Sequence, residues 1–186
     1  MAWVYYHFDQ KDKIAEHTQK CLKINSNNLS ALYIETASAK AHNDTIIRSL
    51  KRLAEKFPKY YRIYLELGEI NDEFQQCMYY YRKALTFEPN SAFILACIGF
   101  AYIDHNEDEA KKYVEKALKI SNSCGWGYAV LGKLGMKNKM IEEAEKNYEK
   151  AIELSPFNAN FHCFLGDLYS SQNNHAKALC CYQKCT

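Results

Sequence analysis

The sequence predicts an all-α fold built from repeated helical hairpins, on three observations. Gly68, Gly99, Gly132 and Gly166 each follow an apolar residue and are separated by 31, 33 and 34 residues. A second series shares that period and consists mainly of small residues: Cys21, Leu53, Ala84, Ala117, Ala151 and Cys185. The chain also has only 3 Pro and 7 Gly, which favours long regular elements. A fixed period of this length is typical of a solenoid, in which each repeat buries its apolar face against the next.

Each period contains two helical stretches, and the last complete period shows them most clearly. Residues 126–137 form the first stretch and residues 141–154 the second. In the second stretch Ile141, Ala144 and Tyr148 recur at three- and four-residue steps, as on the buried stripe of an amphipathic helix. The turn after it contains Pro156, which cannot continue a helix.

These residues resemble the tetratricopeptide repeat family. Its pattern combines an apolar–Gly pair, small residues at the contact between two helices, an aromatic residue and a closing Pro. Residues 125–158 match it with Tyr128, Leu131-Gly132, Ala144, Tyr148, Ala151 and Pro156, although Gly135 stands where Tyr is usual. The resemblance is strong from residue 61 onward and weaker before it, because Glu35-Thr36 replaces the apolar–Gly pair.

The resemblance implies one right-handed α-solenoid of about five and a half repeats. The expected repeats form a single array over 1–186: a partial one at 1–28, then 29–60, 61–91, 92–124, 125–158 and 159–186. Pentatricopeptide repeats, which read single-stranded RNA, have a compatible period. The endings of the second helices favour the tetratricopeptide pattern, and the near-zero net charge disfavours an RNA groove.

Composition excludes several classes of function. The chain has 186 residues, of which 48% are hydrophobic and 25% charged, as expected of a folded protein. A net charge of +2 gives no reason to expect a nucleic acid as partner. The sequence has no apolar stretch of about 18 residues, so no membrane span is predicted. No secretory signal is visible at the start, so we expect the cytoplasm, with the nucleus as a second option, and reduced thiols.

The sequence predicts neither a metal site nor a cofactor. Eight cysteines occur without a C-x-x-C pair, the spacing that structural zinc sites commonly use. Their densest cluster is His162, Cys163, His175, Cys180, Cys181 and Cys185, and we interpret its cysteines as small packing residues.

No motif for phosphate binding or nucleophilic catalysis is present, so no enzyme is predicted. The acidic run around His105 precedes a helix, where acidic residues favour the helix dipole.

The resemblance implies a protein partner, bound as a peptide or helix in the concave groove that the first helices line. The expected groove residues are Arg62, Leu65, Phe93, Phe100, Trp126, Lys133 and Cys163. The alternative, that Phe93, Phe100 and Trp126 only pack against neighbouring helices, stays open. The predicted function is a non-catalytic scaffold within a multiprotein complex. The alternative is the substrate-presenting portion of a larger enzyme, such as a glycosyltransferase.

Both ends of the sequence resemble cut edges of a solenoid. We expect an uncovered apolar patch at each end, formed by Trp3, Val4, Tyr6 and Phe8 and by Ala178, Leu179, Cys181 and Tyr182. Such patches mark association sites, so we expect a fragment of a longer array or end-to-end self-association.

Overall fold

Helices make up the regular structure of the protein, as a computed structural model shows for residues 11–25, 31–32 and 43–185. In these residues there is no strand, and the all-α prediction is confirmed. The helices are α1 Lys11–Ile24, α2 Asn43–Lys56, α3 Tyr61–Ile70, α4 Phe74–Phe87, α5 Ala92–Tyr102, α6 Glu107–Ile120, α7 Gly125–Lys137, α8 Ile141–Leu154, α9 Ala159–Ser171 and α10 His175–Tyr182. The division of the whole chain into repeats stays a prediction.

The chain forms two compact units, residues 1–87 and residues 88–186. In the first unit α2 packs against α3, and α3 forms a hairpin with α4. The hydroxyl of Tyr64 on α3 donates a hydrogen bond to the carbonyl oxygen of Pro58 (2.8 Å), which fixes the turn before the helix. The apolar residues at the N-terminal edge, Trp3, Val4, Tyr6 and Phe8, lie outside the described residues.

Helix α1 departs from the sequence prediction in its side chains. The spacing of Ile14, Cys21 and Ile24 predicts that all three lie on one buried stripe, but Cys21 and Ile24 are exposed, Ile24 to 88%. The helix makes no extensive packing contact with another described helix, so that stripe has no partner surface in this part of the chain. The prediction is therefore wrong at these two residues.

The second unit contains three helical hairpins, α5–α6, α7–α8 and α9–α10. Its first helices also contact one another, α5 with α7 and α7 with α9, while α6 packs on α7 and α8 on α9. This arrangement brings the outward faces of three consecutive first helices together on one surface.

Small residues allow the two helices of a hairpin to approach closely. A Cβ atom at Gly132 on α7 would lie only 2.6 Å from the ring of Tyr148 on α8. Ala144 and Ala151, one turn to either side of Tyr148 on α8, are fully buried. Gly166 has the same relation to the ring of Tyr182 in the last hairpin. The close contact predicted from the apolar–Gly pairs is confirmed.

The acidic run after His105 has a structural role at the start of α6. The side-chain oxygen of Asn106 accepts a hydrogen bond from the Glu109 backbone N–H (3.1 Å), which caps the helix. Lys137, at the end of α7, donates to the carbonyl oxygen of Ile103 (2.6 Å) and lies 3.4 Å from the Glu107 carboxylate. These contacts join the first hairpin of the second unit to the next.

Candidate functional site

The surface formed by α5, α7 and α9 places aromatic side chains from three helices side by side. Helix α5 starts after Ser91, whose hydroxyl oxygen accepts a hydrogen bond from the Ile94 backbone N–H (3.4 Å). Phe93 therefore lies in the first turn, and Phe100 lies two turns later on the same face. Trp126 occupies the start of α7, and Phe164 lies in the second turn of α9.

Trp126 lies at the centre of these rings. Its ring centroid is 6.1 Å from that of Phe93, 6.2 Å from that of Phe100 and 6.2 Å from that of Phe164. All three contacts are edge-to-face, the geometry in which the positive edge of one ring meets the negative face of another. Phe100 and Phe164 also stack on each other at 5.9 Å. We call Phe93, Phe100, Trp126 and Phe164 the aromatic patch.

The aromatic patch packs on a buried ring on its inner side and is partly exposed to solvent on its outer side. Phe161, which is fully buried, makes an edge-to-face contact with Trp126, with ring centroids 5.3 Å apart. Phe93 is 36% exposed, and the other three rings of the patch are half-buried. The patch therefore combines rings fixed by neighbouring rings with apolar surface that remains accessible.

Lys133 adds a positive charge to the aromatic patch. Its ammonium nitrogen lies 4.5 Å from the centroid of Phe100 and 5.8 Å from that of Phe164, within the range of cation–π attraction. Lys133 is half-buried and forms no ion pair with any described residue. The surface therefore offers apolar contact area next to an ammonium group that is able to form an ion pair with a carboxylate.

The other sequence-predicted site residues do not join this patch. Cys163 precedes Phe164 on α9 and is half-buried. Arg62 and Leu65 lie on α3 of the first unit, where Arg62 is half-buried and Leu65 is buried. A buried Leu65 offers a partner almost no surface.

A third charged residue on α3, Glu69, has a perturbed pKa. Desolvation of the Glu69 carboxyl group by the surrounding protein raises its pKa from 4.5 to about 7, although the residue as a whole is exposed. The neighbouring Glu66 carboxylate adds to the rise, and the Arg62 guanidinium opposes it. The first unit therefore carries a carboxyl group that titrates near neutral pH.

Sequence reasoning missed Phe164 and the supporting Phe161. From Asn160, a step of three residues along the helical face leads to Cys163 and a step of four leads to Phe164. Both steps keep the same helical face, but the predicted groove includes Cys163 and omits Phe164. The longer step was the signal that identifies Phe164.

The cysteines differ from the expectation of eight reduced, unpaired thiols. The structure brings the sulfur atoms of Cys163 and Cys185 into bonding contact, with their Cα atoms 5.7 Å apart. The nearby His162 is held by a contact of 2.8 Å between its Nε2 atom and the Pro156 carbonyl oxygen. Among the described residues, no three His, Cys, Asp or Glu side chains come together as a metal-binding group.

The predicted apolar patch at the C-terminal edge is only partly exposed. Leu179 and Tyr182 are exposed and Cys181 is half-buried. Ala178 is buried, because it packs in a cluster with Leu165 and Tyr169 of α9. The expected exposure of Ala178 is wrong, since this residue belongs to the contact inside the last hairpin.

The described helices are all too short or too polar to cross a membrane.

Comparisons with known proteins include a match to one repeat family. The tetratricopeptide repeat model matches residues 127–158 and 159–186. The chain is 24% identical over 132 residues to the mitochondrial import receptor subunit TOM70 of Mus musculus, a match that covers 67% of this chain and 22% of that protein. It is 30% identical over 108 residues to the cilia- and flagella-associated protein 70 of Homo sapiens, covering 58% of this chain and 10% of that protein. The match thus spans about a fifth or less of the length of these two relatives.

Solved structures show the same fold. The crystal structure of the APC/C hetero-tetramer Cut9-Hcn1 matches with a TM-score of 0.70 and 16% identity, covering 96% of this chain and 37% of that chain. The structure of TTC0263, a tetratricopeptide repeat protein of Thermus thermophilus, matches with a TM-score of 0.68 and 19% identity, covering 96% and 95%. Two segments of the chain, residues 127–158 and 159–186, thus match the tetratricopeptide repeat model, and the described residues share the all-α fold of a solved tetratricopeptide repeat structure.

Proposed function

We propose that the chain is a non-catalytic interaction module that binds a peptide or helix of a partner protein on the aromatic patch, within a multiprotein complex. The observation that carries the proposal is the half-buried aromatic patch on three adjacent first helices, with the Lys133 ammonium, which pairs with no carboxylate among the described residues, at its edge. In the family this face lines the concave groove. The proposed surface is confined to the second unit.

The patch has the physical properties of a binding hot spot. Aromatic side chains bury a large area on binding and have few rotatable bonds to immobilise. Trp126 is in contact with Phe93, Phe100, Phe161 and Phe164, so its ring is ordered before a partner arrives. Preorganised side chains reduce the conformational entropy lost on association. A single apolar anchor from the partner, seated against Trp126, therefore gains most of the available burial.

Lys133 specifies the chemistry of the partner further. The ammonium lies over the ring of Phe100, in surroundings less solvated than open water. A carboxylate brought there by the partner forms an ion pair beside the buried apolar anchor, where the attraction is stronger than at an open surface. We infer that the preferred segment carries an aromatic or large aliphatic residue together with an acidic residue.

The relatives support a protein as the partner. One relative is named as an import receptor subunit, and one structural neighbour is a hetero-tetramer. The cytoplasm stays the compartment that we predict for the module, and the mitochondrial receptor among the relatives is the reason to check it by imaging the full-length protein.

A selection from random peptides displayed on phage tests the proposal. We expect the immobilised chain to enrich peptides that combine an aromatic or aliphatic anchor with an acidic residue. Trp126→Ala should weaken binding of an enriched peptide about 30-fold, corresponding to a hot-spot loss of about 2 kcal/mol. Lys133→Glu should weaken it further as the ionic strength is lowered, because repulsion between like charges is then less screened.

Phe157→Ala is the matched control. Phe157 is a fully exposed phenylalanine in the turn between α8 and α9, outside the aromatic patch. Its replacement removes the same kind of side chain and should leave peptide affinity unchanged. Equal losses in Trp126→Ala and Phe157→Ala, or enrichment of basic peptides, would contradict the proposed surface.

A further inference from the structure

The last hairpin carries two cysteines where the preceding hairpin carries two alanines. Ala129 on α7 and Ala151 on α8 belong to one buried cluster, at the contact between the two helices of their hairpin. Cys163 and Cys185 follow them by one repeat period in the sequence: Cys163 lies on α9, and Cys185 lies three residues beyond the end of α10. Both members of one small-residue contact are therefore thiols in the last repeat.

The backbone holds these two cysteines at the separation that a disulfide requires. Their Cα atoms are 5.7 Å apart, within the usual range for a bridged pair. Two further contacts keep the end of α10 on α9: the Tyr182 ring faces Gly166, and the Tyr182 hydroxyl donates to the Asp167 carboxylate (2.8 Å). The cysteine pair is thus prearranged by contacts that do not involve sulfur.

Accessibility separates this pair from its alanine equivalents and from the buried thiols Cys77 and Cys97. Ala129 and Ala151 are fully buried, whereas Cys163 and Cys185 are half-buried, so a small solute reaches them. Cys77 and Cys97 are buried. The exposed Cys180 and its half-buried neighbour Cys181 are unpaired, and burial, with a contribution from Cys180, raises the pKa of the Cys181 thiol. A thiol with a raised pKa is a weaker source of the reactive thiolate.

We propose that Cys163 and Cys185 are a reversible redox pair whose disulfide clamps the end of α10 to α9 when the chain meets a low-molecular-weight disulfide such as oxidised glutathione. This inference is independent of the aromatic patch and goes beyond partner binding. It also requires no secretory environment, because the oxidant is a small molecule.

The chemistry balances in two exchange steps. One cysteine thiolate attacks a sulfur of oxidised glutathione, forms a mixed disulfide and releases one glutathione thiolate. The second cysteine then attacks the protein sulfur of that mixed disulfide and releases the second glutathione. Two protein thiols are oxidised to one disulfide, and one glutathione disulfide is reduced to two thiols. The Cys185 sulfur lies 3.6 Å from the Cys181 carbonyl oxygen, which would accept a hydrogen bond from the thiol once the disulfide is reduced.

Peptide mapping of the full chain after equilibration in glutathione buffers tests the pairing. Trypsin cleavage after Lys150, Lys177 and Lys184 leaves Cys163 alone in peptide 151–177 and separates Cys185 from Cys180 and Cys181. After acid quenching and alkylation, we expect peptide 151–177 joined to the dipeptide 185–186, in a fraction that rises with the share of oxidised glutathione. A bond from 151–177 to the peptide 178–184, glutathione adducts at Cys163 without ring closure, or free thiols at every ratio would overturn the proposal.

Hydrogen exchange measures whether the bond clamps the helix. In the oxidised chain the backbone amides of α10 should exchange about tenfold more slowly than in the reduced chain, because opening the end of the hairpin now strains a covalent loop. Cys185→Ala, which restores the alanine of the preceding repeat, should show no dependence on the oxidant. Cys180→Ala is the matched control and should respond as the unmodified chain does. Equal exchange of α10 in both redox states of the unmodified chain would refute the clamp.

Discussion

Replacing Gly132 with alanine tests how closely α7 and α8 approach each other. The added Cβ atom would lie 2.6 Å from two carbon atoms of the Tyr148 ring. Carbon atoms in ordinary contact are about 3.5–4.0 Å apart, so the overlap is about 1 Å. Tyr148 is almost completely buried, and its ring has no solvent-filled space into which to move. The helices must therefore separate, or the ring must leave its preferred rotamer.

Two opposing effects set the size of the change at Gly132. Alanine favours a helix over glycine by about 1 kcal/mol, which stabilises the variant. Overpacking of a close-packed contact costs about 1–3 kcal/mol, and an overlap of this size belongs in the upper half of that range. The free energy of unfolding should fall by about 1–2 kcal/mol. For a chain of this length, that lowers the melting temperature by about 2–8 °C.

Gly127→Ala provides the matched control on the same helix. Its added Cβ atom would lie 2.8 Å from a methyl carbon of Leu118, whose half-buried side chain can change rotamer. Here the gain in helix propensity should dominate, so the melting temperature should stay constant or rise. Thermal unfolding followed by far-UV circular dichroism, at one pH and protein concentration, measures both variants. Shifts of equal size and sign would refute the packing that we describe.

Substitutions at three further residues test local electrostatics and helix ends. Because the pKa of Glu69 is raised to about 7 from 4.5, the folded state binds its proton more tightly than the unfolded state, and stability should fall as pH rises from about 4.5 to 7. Glu69→Gln should remove that part of the pH dependence. The effect on the free energy of unfolding should be below about 1 kcal/mol, because solvent screens the charge of an exposed residue. Denaturant unfolding of both proteins at pH 5 and pH 8 measures it. Lys137→Met should cost about 1 kcal/mol in denaturant unfolding, because it removes the bond to the Ile103 carbonyl oxygen. Asn106→Ala should also cost about 1 kcal/mol by removing the cap of α6, whereas Asn106→Asp should keep most of the stability.

The hairpins of the second unit could be predicted from sequence because their determinants are local and periodic. A glycine opposite an aromatic ring, as at Gly132 and Tyr148, appears in the sequence as a fixed spacing within one repeat. The cap at Asn106 is likewise encoded by adjacent residues. Such features require no knowledge of how neighbouring hairpins are placed.

The missed features depend on contacts between helices that are distant in sequence. Phe164 joins the aromatic patch because α9 is rotated about its axis so that the four-residue step from Asn160 faces Trp126. Spacing within one helix cannot fix that rotation. The pairing of Cys163 with Cys185 depends on how closely the segment after α10 approaches α9. The burial of Ala178 depends on the cluster that it forms with residues of α9. Composition and period contain none of this information.

The most direct test of partner binding at the aromatic patch is the fluorescence of Trp126. The chain has two tryptophans, so Trp3→Phe leaves Trp126 as the single reporter. When a selected peptide is titrated into this variant, the account predicts a saturable shift of the emission to shorter wavelength, because the partner removes water from a half-exposed indole. The affinity from that shift should equal the affinity from calorimetry. Saturable calorimetric binding with an unchanged Trp126 emission would contradict the account, since the partner would then bind elsewhere.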